Sequence, residues 1–151
     1  MSILKSVETA GKIKPQDLQT YCLIHGGSGN GKTTAAATAE KPLILLTESN
    51  GLLSIKNSNP HAKIVRANSI DEVRSFLMEV STTDILKKLD CKTVVIDSMT
   101  EVQNMLLAEQ QQLNGGKPLS IQHWQTVTTK MRKVFRMLRD LPCNVIAIAL
   151  P

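Results

Sequence analysis

The chain has 151 residues, 42% of them hydrophobic, 21% charged and only 3% aromatic, which suits one globular domain and is too little chain for two cores. No apolar run approaches the roughly 18–20 residues of a membrane-spanning helix, and Met1-Ser2-Ile3-Leu4-Lys5 lacks the apolar stretch of a secretory signal, so a cytoplasmic protein with no membrane partner is expected. The formal charge of +5 is uneven: residues 1–110 carry 12 basic and 12 acidic side chains, so the excess comes entirely from residues 111–151.

In chain order, residues 1–17 are polar and mixed and read as a lead-in that wraps one sheet edge, ahead of a single domain over 18–151. Leu18 to His25 is mostly apolar and β-prone, a predicted strand. Gly26-Gly27-Ser28-Gly29-Asn30-Gly31-Lys32-Thr33 then satisfies the pattern G-x-x-x-x-G-K-[ST], and the alanine- and threonine-rich Lys32 to Glu40 reads as a helix. Strand, glycine turn and helix is the order a phosphate-binding loop needs. Its glycines let successive N–H groups approach phosphate oxygens at a helix N-terminus whose dipole favours anions. Lys32 would neutralise the β- and γ-phosphates and Thr33 would place its hydroxyl on Mg²⁺. Gly26, Gly27, Ser28, Gly29, Asn30, Gly31, Lys32, Thr33 and Thr34 are therefore the candidate binding residues for a nucleoside triphosphate, with Mg²⁺ as its counter-ion.

Leu43 to Glu48 is a buried-strand pattern ending in a carboxylate, and the Asn-, Ser- and Gly-rich Ser49 to Pro60 reads as a loop. Ala62 to Ala67 predicts a short strand. Ser69 with Glu72 three residues on is a capping-box pattern opening a helix to about Val80, and Asp84 to Leu89 reads as a further helical turn. Thr93-Val94-Val95-Ile96-Asp97-Ser98 is a β-branched apolar run ending in one acid, as expected of a buried parallel strand. Ligands of open α/β sheets bind outside the strand C-termini, so Asp97 is placed to hold Mg²⁺ beside Thr33. No Glu follows Asp97. Glu48, at the end of its own strand, is the favoured group to orient the attacking water; Glu101, in the first turn of the next helix, competes but is also explained by the helix dipole.

The glycines and proline of Asn114-Gly115-Gly116-Lys117-Pro118 end that helix and delay the next. Ser120 to Arg139 reads as an amphipathic helix with Ile121, Trp124, Val127, Met131, Val134, Phe135 and Leu138 on one face, which makes Trp124 core packing rather than a platform for bases. Arg132, Lys133 and Arg136 fall on the other side, with Lys130 and Arg139 at its edges. A basic face can bind nucleic-acid phosphates, and it can equally be solvated or a subunit contact. Asn144 to Leu150 is a final strand. Cys22, Cys91 and Cys143 lie in or beside predicted strands without C-x-x-C spacing and read as buried free thiols; none of His25, His61 and His123 is assigned a ligand role.

Taken together, the phosphate loop, the strand ending in Glu48, the Val94 to Ser98 strand, the helix with Trp124 and the last strand resemble the RecA-type ATPase core. The nearest resemblance is to compact phage-encoded RecA-like ATPases, some of which assist single-strand annealing and recombination. It covers roughly residues 15 to 151 and implies a three-layer α/β/α sandwich around a mainly parallel sheet. It further implies ATP hydrolysis with Mg²⁺ through Lys32, Glu48 and Asp97, action on single-stranded DNA, a homo-oligomer or filament, and the cytoplasm of a bacterial host. Lys117, in a loop that touches DNA in such proteins, joins Arg132, Lys133 and Arg136 as a nucleic-acid candidate.

Two departures accompany the resemblance. The last strand ends Ile148-Ala149-Leu150-Pro151, where the family commonly has a polar residue that senses the γ-phosphate. The family also has a further strand and a second DNA-contacting loop, so a C-terminally truncated core is expected, with an unprotected edge on the phosphate-loop strand. A nucleotide-gated scaffold with little hydrolysis and a small-molecule or nucleotide kinase stay open as alternatives. A GTPase is disfavoured, because Asp97-Ser98-Met99-Thr100 is not D-x-x-G and no N-K-x-D motif occurs.

Overall fold

A computed structural model describes residues 18–151; the expected lead-in over 1–17 lies outside them. Two strands, β2 (Pro42–Leu46) and β4 (Thr93–Asp97), are buried at every position, so both faces of the sheet must be covered. Side chains alternate along a strand. Leu43, Leu45, Val94, Ile96, Val145 and Ala147 therefore enter one core, while Ile44, Leu46, Val95 and Ile148 enter the other.

The first core is closed by α3 (Ile70–Thr82), α4 (Ile85–Lys88), α5 (Met99–Leu113) and α6 (Ile121–Arg139), through Val73, Leu77, Leu86, Val102, Leu106, Val127 and Leu138. Ala36 and Ala37 of α1 (Lys32–Ala37) and Ile55 of α2 (Leu52–Ser58) close the second. The result is the expected α/β/α sandwich. With β1 (Tyr21–His25), β3 (Lys63–Arg66) and β5 (Asn144–Ala149), the order across the sheet is β1-β5-β4-β2-β3, and every pairing is parallel. All strand C-termini thus share one edge.

β1 begins at Tyr21, later than the predicted Leu18, and pairs only with β5. Its outer edge has no strand partner among the described residues. Tyr21 and Leu23 are 46% and 59% exposed, and Cys22 is exposed rather than buried, because no element among the described residues covers this edge strand. Cys91 and Cys143 are buried as expected, and desolvation pushes the Cys143 thiol up to about 11.

Local signals fix several helix ends. The Ser69 hydroxyl accepts from the Glu72 N–H, while the Glu72 carboxylate reaches back to the Asn68 N–H at 2.6 Å. The Ser120 N–H donates to His123 Nδ1 at 2.9 Å, which gives that histidine a capping role. After α5, Gly115 and Gly116 take positive φ of 65° and 75°, and their N–H groups close onto the carbonyls of Gln112 and Gln111.

Two sequence expectations fail. Ser49 to Pro60 is not a loop: a 3₁₀ turn, Ser49–Gly51, leads directly into α2. Its polar composition hid the helix, which is held by fully buried Ile55, while Asn59 just beyond donates to the carbonyl of Ala37, where α1 ends short of the predicted Glu40. On α6 the buried stripe is Val127, Val134 and Leu138. Trp124 and Phe135 sit roughly 60–80° round the helix from it and are 47% and 45% exposed, with Ile121 at 78%. Trp124 is therefore not core packing.

An ion network ties the first helical layer together. Glu109 of α5 accepts from Arg74 of α3 at 2.8 Å and from Lys130 of α6 at 2.7 Å. The Arg74 hydrogen bond, helped by Lys130, holds the Glu109 carboxyl down at about 2.

Candidate nucleotide-binding site

β1 delivers the chain to the sheet's C-terminal edge at Gly26, and the loop turns there into α1. Gly29 and Gly31 sit at φ 80° and 72°, in the left-handed region that a side chain disfavours, and Gly31 caps the helix. The geometry leaves backbone N–H groups of the first helical turn without helical acceptors, pointing into the loop. Lys32 is 9% exposed and folds back so that Nζ donates to the Gly27 carbonyl at 2.6 Å. Its charge is thereby held inside the glycine loop.

Across one intervening strand, the register of β4 carries Asp97 to the same edge. Thr33 Oγ1 donates to Asp97 Oδ2 at 2.7 Å, joining residues 64 apart in sequence. Asp97 is 7% exposed, and this burial raises its carboxyl above the usual range; the neighbouring Glu48 charge adds to the rise, against the Thr33 hydrogen bond and Lys32. A buried acid destabilised as an anion calls for a cation. The donor set fits Mg²⁺, with one hydroxyl and one carboxylate oxygen already adjacent and both hard ligands.

Glu48 stands just past β2, the strand paired with β4, and faces the same space. Its Oε1 accepts from the Ser98 hydroxyl at 2.5 Å. The Asp97–Ser98 peptide is cis, and Thr47 spans it, accepting from the Ser98 N–H at 2.9 Å while its hydroxyl faces the Asp97 carbonyl at 3.1 Å. Glu101 is placed elsewhere: its N–H donates to Ser98 Oγ and its carboxylate accepts from Asn104.

These groups surround a cleft of about 350 Å³. Ser28 through Thr34, Glu48 and Asp97 line it, whereas Gly26 and Gly27 shape the loop from outside the lining. Leu150 also lines it, with its N–H held by Thr100 Oγ1 at 2.8 Å, so the strand end that departs from the RecA-like pattern faces the cleft. Sequence reasoning missed Asn50, Gly51 and Ser54, which the turn after Glu48 brings into the wall. Gly51 has an ordinary φ of −76°, so its backbone needs no glycine. A Cβ there would lie 3.1 Å from Asp97 Oδ2 and 3.3 Å from Thr33 Cγ2, and would press on the very pair that fits the cation.

Lys117, Arg132, Lys133 and Arg136 are exposed and outside the cleft lining; among the described residues none pairs with a carboxylate. Lys130 and Arg139 differ, being engaged by Glu109 and Asp140.

A lysine folded into a glycine loop, and a loop threonine bonded to the acid of a non-adjacent strand, are two independent requirements met at one sheet edge. This convergence makes the chain a P-loop NTPase domain. It belongs to the AAA domain family, whose model matches residues 19–150. No curated protein matches the chain. Among solved structures it is similar to a prototypical ATPase from the type III secretion system of pathogenic bacteria, at 15% identity and a TM-score of 0.60. That similarity covers 89% of this chain and 45% of the other, so this chain spans less than half the length of that ATPase. At this identity the likeness concerns the fold. Among the described residues, no helix is long and apolar enough to cross a membrane.

Proposed function

We propose that this P-loop domain binds and hydrolyses ATP with Mg²⁺, and that it acts on single-stranded DNA as a homo-oligomer or filament in phage recombination or annealing. The observation that carries the hydrolytic part is the meeting of Lys32, the Thr33–Asp97 pair and Glu48 around one cleft. The loop from Gly26 to Lys32 holds the phosphates, and Lys32 offsets charge that builds on the transferring group. Thr33 and Asp97 hold Mg²⁺, which when bound neutralises phosphate charge. Glu48 orients a water in line with the γ-phosphate. The water oxygen forms a bond to phosphorus as the bond to the bridging oxygen breaks, and Glu48 takes the water's proton, giving ADP and inorganic phosphate.

The DNA part is supported by the RecA-like resemblance and by the exposed cations Lys117, Arg132, Lys133 and Arg136, which pair with no carboxylate among the described residues. Steady-state ATP hydrolysis with and without single-stranded DNA, at low and moderate salt, tests both parts. Turnover that DNA stimulates, and that Lys32→Ala abolishes, is the expected result; turnover indifferent to DNA would remove the DNA part alone. One observation favours a second reading, a nucleotide-gated scaffold: apolar Leu150 occupies the cleft wall where a polar sensor is expected. Tight ATP binding with negligible turnover would identify it.

A further inference from the structure

Asp97 is followed by a serine, and that serine's hydroxyl is directed to the acid of the neighbouring strand. The parallel register sets Leu46 opposite Asp97, which brings the next residues of the two strands, Thr47 and Ser98, side by side and puts Glu48 one step beyond. Ser98 is 1% exposed. Its N–H is fixed by Thr47 Oγ1 at 2.9 Å, and its hydroxyl oxygen accepts from the Glu101 N–H at 3.3 Å. A hydroxyl has one proton to give, and here it goes to Glu48 Oε1 at 2.5 Å. The second oxygen, Glu48 Oε2, has no hydrogen-bond partner in the protein among the described residues.

We propose that Ser98 is the positioning residue for Glu48, anchoring one carboxylate oxygen so that the other is presented to the cleft. The inference rests on Glu48 as the group that orients the attacking water. A glutamate at the mouth of a cleft has three side-chain torsions, and an unanchored one spends much of its time out of line with the phosphate. The anchor comes from a rigid element: Ser98 also caps α5 and is clamped by its own backbone, so Glu48 inherits the order of β4.

The capping role makes Ser98→Ala ambiguous, since losing an N-cap also destabilises the fold. Ser98→Gly resolves this, because glycine retains most of the capping preference and has no hydroxyl. Turnover and the affinity for a fluorescent ATP analogue are measured on the full chain for Ser98→Gly, Ser98→Ala, Ser98→Thr, Glu48→Gln and Ser98→Gly combined with Glu48→Gln. Both hydroxyl-free variants are expected to lose about 10- to 100-fold in kcat with analogue affinity within about twofold of the parent. Ser98→Thr recovers most of the loss, and adding Ser98→Gly to Glu48→Gln causes no further loss, because the partner it would position is already disabled. A full kcat in folded Ser98→Gly, or a loss that repeats in full on Glu48→Gln, overturns the inference while leaving Glu48 in place. A full kcat in Glu48→Gln overturns the reading of Glu48 and this inference with it.

Discussion

The cleft at the sheet edge and the outer face of α6 are both rich in charged or polar groups, yet they are built on opposite plans. In the cleft the polar side chains are short of water and have named partners: Lys32 on Gly27, Thr33 on Asp97, Ser98 on Glu48. On α6 the cations Arg132, Lys133 and Arg136 stand in solvent, without carboxylate partners among the described residues, on a helix that also leaves Trp124 and Phe135 half-exposed. Geometry in the first region is therefore set within the chain, and substitutions there should act on chemistry. In the second region no described residue pairs with these groups, so substitutions should leave folding alone and act only through whatever the face meets.

The sharpest break of this contrast comes from Lys32→Ala, which removes the one cation the loop encloses; we expect turnover to fall by at least about 100-fold, measured as steady-state phosphate release. Within α6 the two plans are separated by a few residues. Leu138→Ala, at a 3% exposed position, should cost about 2–5 kcal/mol in denaturant unfolding, while Trp124→Ala should cost under about 1 kcal/mol. Equal costs would mean that Trp124 is buried after all.

Glu109 lies between the two regimes, partly exposed but doubly paired. Its folded carboxyl is held at about 2 against an ordinary 4.5, so its stabilisation is complete above about 4.5 and is lost as pH falls toward 2. Glu109→Gln should therefore cost about 1–2 kcal/mol at pH 7, allowing for solvent screening of half-exposed Arg74, and the gap to the parent should close as unfolding is followed down through pH 3. The smallest intrinsic effect is expected on the basic face. Replacing Arg132, Lys133 and Arg136 together by Gln should leave stability and ATP-analogue affinity unchanged. If the face meets single-stranded DNA, the slope of log K against log salt should flatten by about 0.7 for each phosphate that the altered face no longer neutralises.

Much of this molecule was legible because the signals are local. A glycine loop must have its glycines and lysine contiguous, a buried strand must be a continuous apolar run, and a helix cap must sit three residues from its partner; Gly26 to Thr33, Thr93 to Asp97 and Ser69 with Glu72 each carry their whole signal within a few positions. The strand-end rule extended this to Asp97 and Glu48, since parallel strands bring their C-terminal residues to a common edge whatever lies between them.

The rest was decided by which elements came to lie together. The helix after Glu48 forms because Ile55 finds a buried site against the sheet, which a serine- and asparagine-rich segment does not announce. Trp124 is on the apolar side of an amphipathic helix, but how wide a stripe is covered depends on the neighbouring helices and not on the helix itself. Gly51 is needed for the space beside Asp97, and Ser98 meets Glu48 across 50 residues through the register of two paired strands. The glycine loop and the apolar strands with their terminal acids were legible in the sequence, because each is written in contiguous residues, whereas the three layers were implied by the RecA-like resemblance. Only the tertiary structure decided which side chain steadies which, because those pairings depend on register and packing between residues far apart in the chain.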